Sequence, residues 1–349
     1  LFAPPLAVVL SFLASLGTWW ISELARYCAN LPAGEIPWPT GLWGSALAIF
    51  LTAASVLVFK SHRARTRLVA GATVFAIIAT TSGVASARAF REATWVPENW
   101  QAVACDVGQG DALVLRSQEE IAVIDVGPEA QLIDKCLTTL GIAKIDLLVI
   151  THFDFDHVGG LSGALKGRSV ETALISPFAD DRPAAEMARS LLSSSSARVI
   201  EGAIGHRGTL GSADWIVLNP QVKARGHTDS NDASIALFFS FDRFSLLALA
   251  DLGERAQSVL RRKFAEIILR EVGTKQLILK VAHHGSADFD AELHQIIRPS
   301  VALISVGAKN GYGHPTAQLL QTLENVGATV ARTDRSGTIA ISTDQDRIM

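Results

Sequence analysis

Ile145-Asp146-Leu147-Leu148-Val149-Ile150-Thr151-His152-Phe153-Asp154-Phe155-Asp156-His157-Val158-Gly159-Gly160 begins as an aliphatic run and ends in a polar loop. Positions 152 to 157 hold two histidines and two aspartates, all potential metal ligands. A buried strand ending in these groups would gather uncompensated polar atoms unless a cation took them. In extended backbone His152, Asp154 and Asp156 project to one side, and the adjacent His157 turns in where Gly159-Gly160 opens a helix. That spacing serves two metal ions a few ångströms apart.

Two further apolar segments end the same way. Ser245-Leu-Leu-Ala-Leu-Ala250 leads into Asp251, a single carboxylate placed to bridge two ions, and Leu277-Ile-Leu-Lys-Val-Ala282 leads into His283-His284-Gly285-Ser286. One of that histidine pair binds metal while the other orients it or contacts substrate. From residue 101 onward, short β-rich segments alternate with helical patterns at Ala130 to Leu140, Gly160 to Leu165, Ala184 to Ser193, Glu254 to Phe264, Asp290 to Ile297 and Thr316 to Val326. This alternation predicts an α/β sandwich with mixed sheets.

The first hundred residues are of another kind. No charge occurs from Leu1 to Ser22, from Ile36 to Phe59 or from Leu68 to Ala87, and each run is long enough to cross a core about 30 Å thick at about 1.5 Å per residue. The expectation is a membrane region over 1–95, with transmembrane helices near 3–22, 40–59 and 68–88, followed by a hydrolase domain over 96–349. The third run is the weakest, since Thr80, Thr81, Ser82, Gly83 and Ser86 dilute it. The basic loop Lys60-Ser-His-Arg63-Ala-Arg65-Thr-Arg67 is read as cytoplasmic. Three crossings then make a multi-pass protein of the cytoplasmic membrane, bounded by lipid, with the hydrolase domain outside.

The whole chain carries 31 Lys and Arg against 34 Asp and Glu, and the part after residue 99 holds 24 basic and 30 acidic residues. The hydrolase domain therefore lacks the broad basic field usual in a polyanion binder. Cys28, Cys105 and Cys136 are few and widely spaced, so they are read as small apolar fillers rather than a disulfide framework. The chain opens on Leu1 and enters a hydrophobic run at once, which is read as a fragment lacking its N-terminal part.

The motif order is specific. Asp106-Val-Gly-Gln109-Gly-Asp111-Ala, Ile124-Asp125-Val-Gly127, His152-x-Asp154-x-Asp156-His157-x-Gly-Gly, Asn231-Asp232-x-Ser234, Ala250-Asp251, Val-Ala-His283-His284-Gly-Ser286 and Tyr312-Gly-His314-Pro315 together resemble the metallo-β-lactamase domain of ComEC-type DNA-internalisation competence proteins. The resemblance covers residues 100–345 and implies a metallo-β-lactamase-like αββα sandwich. It implies His152, Asp154, Asp156, His157, Asp251 and His284 as metal-facing, with Asp125 supporting the metal loop from below and His283 outside the ligand set. Asp106, Gln109 and Asp111 resemble the first hairpin at the site rim, and read equally as turn residues. Ser286 follows the final ligand turn. Asp156 and His314 are expected nearest the chemistry, His314 at the substrate phosphate.

Two departures from the broader pattern stand out. Asp154 replaces the usual histidine, and no clear histidine lies between the first motif and Asp251, because His206 and His227 sit in loops that read as exposed. The resemblance implies that Asn231 or Asp232 lines the site instead. A carboxylate for an imidazole hardens the site, moving preference from zinc towards manganese or magnesium with zinc still open. Two divalent ions would activate water and polarise a phosphoryl or carbonyl oxygen. The expected activity is phosphodiester hydrolysis of the non-transported strand of incoming DNA, with the missing channel part and a DNA receptor as partners. The alternatives are a non-catalytic DNA-guiding module and a membrane-tethered hydrolase of small esters.

Overall fold

The aliphatic run ahead of His152 forms the centre of a sheet, because Leu147 and Val149 face one layer while Leu148 and Ile150 face the other and all four are buried. The computed structural model describes residues 15, 17–24, 41–61, 63–94, 96–220, 229–344 and 347–348. The chain divides into two compact units, Leu1–Trp95 and Val96–Met349.

In the C-terminal unit the strands run in chain order as β1 (Trp100–Ala104), β2 (Leu113–Ser117), β3 (Glu120–Ile124), β4 (Lys144–Ile150), β5 (Ser169–Ile175), β6 (Arg198–Glu201), β7 (Arg207–Leu210), β8 (Ala213–Asn219), β9 (Ala236–Ser240), β10 (Phe244–Ala248), β11 (Gln276–Lys280), β12 (Val301–Ile304), β13 (Thr329–Arg332), β14 (Ile339–Asp344) and β15 (Arg347–Ile348). One sheet has the order β15-β14-β1-β2-β3-β4-β5-β6 and the other β13-β12-β11-β10-β9-β8-β7. Both are mixed: β3 to β6 are parallel and β10 to β13 are parallel, while the remaining pairings are antiparallel. The expected segments thus appear as an α/β sandwich. Four strands, β6, β7, β13 and β15, were not expected: β15 has two residues, and β6, β7 and β13 have four each and are largely uncovered, so their alternation leaves little trace in the sequence.

The inner faces meet in one core, with Leu113, Leu115, Ile124 and Val149 from the first sheet against Leu237, Phe239, Leu246 and Ile278 from the second. Helix Ala130–Thr139 turns Ile133, Cys136 and Leu137 inward at helical spacing, and helices Leu161–Leu165 and Pro183–Ser193 bury Leu161, Ala164, Ala185, Ala188 and Leu192. On the second sheet, helices Glu254–Val272, Ala291–Ile297 and Ala317–Asn325 bring Leu260, Ile268, Leu293, Ile297, Leu319 and Leu323 into a second cluster. The four layers are αββα.

Cys105 and Cys136 form a disulfide, which corrects the reading of both as apolar fillers. The end of β1 and the inner face of helix Ala130–Thr139 are brought together by packing, across a sequence separation of 31. Cys28 lies outside the described residues.

In the N-terminal unit, helices Gly41–Lys60 and Ala64–Thr94 lie side by side. Among the described residues no helix is long and apolar enough to cross a membrane, so the three expected spans are not borne out there. Most of 3–22 lies outside the described residues. The third run is absorbed into a 31-residue helix whose sequence carries Arg65, Arg67, Arg88 and Arg91. Leu42, Ile49, Phe50, Leu57, Leu68 and Phe75 of the two helices are exposed.

Candidate metal centre

The parallel strands set the location of the site, because β3, β4, β10 and β11 all end on one edge of the sandwich, and loops outside carboxyl ends of parallel strands are where open α/β sheets bind ligands. Asp125 follows β3, His152 follows β4, Asp251 follows β10, and His283 and His284 follow β11. Asp125, Ala250, His283 and His284 all have φ between 48 and 57°, a left-handed conformation that non-glycine residues hold only when surroundings impose it. Every one of them lies at or beside a ligand position.

The extended stretch beyond β4 is shorter than expected. A helical turn, Phe155–Val158, begins directly after Asp154, so His157 turns inward and Asp156 reaches His284, while Asp154 turns to Arg182 and Ser230. The loop is pinned by backbone bonds: Val126 N donates to His157 O, and Gly160 N to Gly127 O. A Cβ on Gly160 would sit 2.1 Å from Val126 O. Gly160→Ala is therefore expected to cost about 1–3 kcal/mol through forced backbone displacement, read as a lower denaturant midpoint; an unchanged midpoint would show the loop is not held this closely.

Among the described residues three ligand sets emerge, with ligand atoms within 4.8 Å of one another: His152, His157 and Asp251; Asp156, His157 and His284; and Asp111, Asp125 and His157. Asp251 Oδ2 lies 3.2 Å from His157 Nε2, 3.9 Å from His284 Nε2 and 3.8 Å from His283 Nε2. His284 Nε2 is 3.1 Å from Asp156 Oδ2. The His152 and His157 rings are 4.2 Å apart, and those of His157 and His284 5.4 Å.

Hydrogen bonds behind the ligands fix which nitrogen faces the cluster. Asp125 accepts from Thr151 N at 2.8 Å, from Thr151 Oγ1 at 2.7 Å and from His157 Nδ1 at 2.9 Å. Because the Thr151 hydroxyl gives its proton to Asp125, it accepts from His152 Nδ1 at 3.0 Å. His284 Nδ1 donates to Ser305 O at 3.0 Å. All three rings thus aim Nε2 inward, as in carboxylate- or carbonyl-backed metal histidines. His152 Nε2, His157 Nε2 and Asp251 Oδ1 are buried without a hydrogen-bond partner. Buried polar atoms are rarely left unpaired, and these converge on one place. The donor set fits divalent cations.

Charge agrees with geometry. Burial opposes charge on His157, yet Asp251 and Asp125 hold its pKa well above the ordinary value. Burial also opposes charge on His284, but Asp111 and Asp251 carry it up to about 10. His152 is pushed down by burial and by His157. Burial would raise Asp251, but His157 and His284 bring it well below the carboxylate range. Without a cation, protons on His157 and His284 neutralise the carboxylates. Metal must displace them, so apparent affinity should rise with pH from neutrality towards 10. The expected sign is proton release at pH 7, seen as a binding heat that varies with buffer ionisation enthalpy; a buffer-independent heat would contradict it.

Asp125→Asn removes the charge behind His157 and is expected to weaken metal binding about 10–100-fold in a chelator competition. Affinity within twofold of wild type would show that Asp125 does not tune the ligand.

Other expected residues fall differently. Asp154 lies 3.9 Å from His152 Nε2 but in none of the clusters; its Oδ1 accepts from Arg182 Nη2 at 2.5 Å and Ser230 Oγ at 2.9 Å. Its place at the start of the turn, rather than on the inward face, accounts for this. Ser230 is the residue of this loop that bonds to Asp154; Asn231 Oδ1 lies 3.5 Å from Ser230 Oγ and Asn231 N donates to Asp229, while Asp232 O accepts from Asn219 Nδ2. Asp111 is buried against Lys280 Nζ at 2.6 Å and His284 Nδ1 at 3.2 Å, so it backs a ligand rather than standing at the rim. Gln109 Oε1 accepts from Gly307 N, and exposed Asp106 caps its own turn through Gly108 N. The Ser286 hydroxyl accepts from Asp288 N within its turn. His314 has a buried, unpartnered Nδ1 and lies 5.6 Å from His283, ring to ring. His206 is exposed, and His227 lies outside the described residues.

Arg182, Ser230, Thr151 and Lys280 went unnoticed in the sequence. Lys280 carried a signal, a lone cation in the aliphatic run 277–281; Arg182 and Ser230 carried none.

Residues 105–229 match the family model of the metallo-β-lactamase superfamily. ComE operon protein 3 of Bacillus subtilis (strain 168) is 28% identical over 255 residues, 67% of this chain and 32% of its own length. Competence protein ComA of Neisseria gonorrhoeae is 26% identical over 251 residues, 70% of this chain and 32% of its own. The chain spans about a third of the length of these curated relatives. Among solved structures, the metallo-β-lactamase fold protein YhfI from Bacillus subtilis aligns at 12% identity and TM-score 0.48, covering 68% of this chain and 98% of that one. By these sequence matches the chain is similar to ComEC-type competence proteins over about 70% of its length, and its residues 105–229 match the metallo-β-lactamase superfamily.

Proposed function

We propose that this chain is part of a DNA-uptake protein whose C-terminal unit hydrolyses phosphodiester bonds of the non-transported DNA strand at a two-ion centre. The observation that carries the reading is the convergence of unpaired His152 and His157 nitrogens on Asp251, with His284 and Asp156 alongside. Divalent ions held there supply Lewis acidity that activates water near neutral pH and polarises a phosphoryl oxygen. Asp251 joins the two ligand groups, Asp125 and Thr151 hold the His157 and His152 tautomers, and His314 faces the substrate side beyond His283. The oxygen-rich set favours manganese, with zinc or magnesium as substitutes.

We place the N-terminal unit at the cytoplasmic membrane, its exposed Leu42, Ile49, Leu68 and Phe75 against lipid or the channel part of the protein. A disulfide persists in oxidising surroundings, so the Cys105–Cys136 bond supports a hydrolase unit on the extracytoplasmic side, where a DNA receptor would deliver substrate. The test is Mn2+-dependent degradation of single-stranded DNA by the full chain. Loss of that activity in Asp156→Ala is the expected result. Hydrolysis of small esters without any action on DNA would replace this reading with that of a tethered ester hydrolase.

A further inference from the structure

Among the described residues of the C-terminal unit, the exposed large apolar side chains are Phe155, Val199, Ile267, Leu269, Ile296 and Tyr312. Four are aliphatic and scattered over β6 and the helices Glu254–Val272 and Ala291–Ile297, as ordinary surface residues are. The two aromatic ones are not scattered. Phe155 stands between Asp154 and Asp156 and is 60% exposed; Tyr312, between Gly311 and Gly313, is 73% exposed.

Tyr312 also heads a line of rings that runs inward. It stacks on His314 at 5.9 Å and 29°, His314 meets His283 edge-on at 5.6 Å, and His283 lies 6.0 Å from the ligand His284. Gly311 and Gly313 flank it in an open loop, where a Cβ at either glycine would meet nothing within 4 Å, and the ring's 73% exposure leaves the side away from His314 accessible. A flat, accessible ring thus borders each of the two loops that frame the metal centre.

We propose that Phe155 and Tyr312 are base-stacking platforms that seat single-stranded nucleic acid at the metal centre, so that substrate is recognised by unpaired bases more than by phosphate charge. The proposal rests on the phosphodiesterase reading above. It resolves the mismatch between an acidic domain and a polyanionic substrate: stacking is tolerant of sequence and contributes without a basic field. Among the described residues, Arg182, held by Asp180 and half exposed, is the cation in contact with the rim carboxylate Asp154. With so few phosphate contacts, affinity should fall with a shallow slope of about −1 to −2 in log salt. Duplex DNA, whose bases are stacked on each other, should be a poor substrate.

The experiment measures KM for Mn2+-dependent degradation by the full chain of a dT 20-mer and of a 20-mer in which most nucleotides are abasic. A KM about tenfold higher for the abasic strand is expected, corresponding to one or two lost stacking contacts. In the dT assay Tyr312→Ala and Phe155→Ala should each raise KM about tenfold with a smaller change in kcat, and Tyr312→Phe should restore it; bound manganese, counted in the same samples, should stay at the wild-type level. Equal KM for the two strands, or a salt slope steeper than about −4, would overturn the stacking proposal and leave the hydrolase reading intact. Degradation of neither strand by wild type would overturn both.

Discussion

Asp251→Ala should reduce manganese affinity by about 10³-fold, beyond the roughly 10–100-fold loss that follows removal of a supporting residue. Asp251 is the one carboxylate that faces His157, His283 and His284 from a single oxygen, at 3.2, 3.8 and 3.9 Å, while His152 shares a ligand set with it. His157 is common to all three ligand sets, and Asp251 is the carboxylate whose oxygen spans from it to His284. Its removal takes away that shared oxygen and leaves His157 and His284 with Asp125, Asp156 and Asp111 as their remaining anions. Hydrolysis should fall with metal content, and excess manganese should not restore it. Chelator competition on the folded variant reads the effect; a loss below tenfold would place Asp251 outside the ligand set.

The second large effect concerns stability. Lys280 and Asp111 form an ion pair at 2.6 Å in which both side chains are about 3–4% exposed. Burial alone would raise the Asp111 pKa, but Lys280 and His284 keep it below the usual carboxylate range. Lys280 Nζ also donates to Val281 O. Lys280→Met keeps the length of the side chain in β11 but strips Asp111 of its main partner, leaving a buried charge beside a metal ligand. The expected cost is about 3–5 kcal/mol, roughly 6–20 °C in melting temperature for a unit of this size. Pairing it with Asp111→Asn should recover much of the loss, since the double variant buries no uncompensated charge. A single variant within about 1 kcal/mol of wild type would mean that water, not Lys280, compensates Asp111.

The layered architecture was legible because each layer left its own period: continuous aliphatic runs for β4, β10 and β11, and three- and four-residue spacing for Ile133, Cys136 and Leu137. Ligand types written directly after those strands gave the site its location, since parallel strands deliver their carboxyl ends to one edge. What stayed hidden depended on distance along the chain. The Cys105–Cys136 bond, the Lys280–Asp111 pair, 169 residues apart, and the Arg182–Asp154–Ser230 cluster exist only because separate elements pack together. Asp154 shows the limit of a spacing argument: alternation places it beside His152 and Asp156 only while the backbone stays extended, and the turn at Phe155 ends that one residue later. The membrane expectation rested on uncharged length alone, and neither described helix beyond residue 40 meets the requirement for a span.

Divalent cations should bind where the buried ligand atoms converge. An anomalous difference map from a crystal of the chain grown with Mn2+ should show density enclosed by Asp251, His157, His284 and Asp156, and a second peak on the His152 side of Asp251. A map with no peak there, or with manganese bound only elsewhere on the chain, would contradict it.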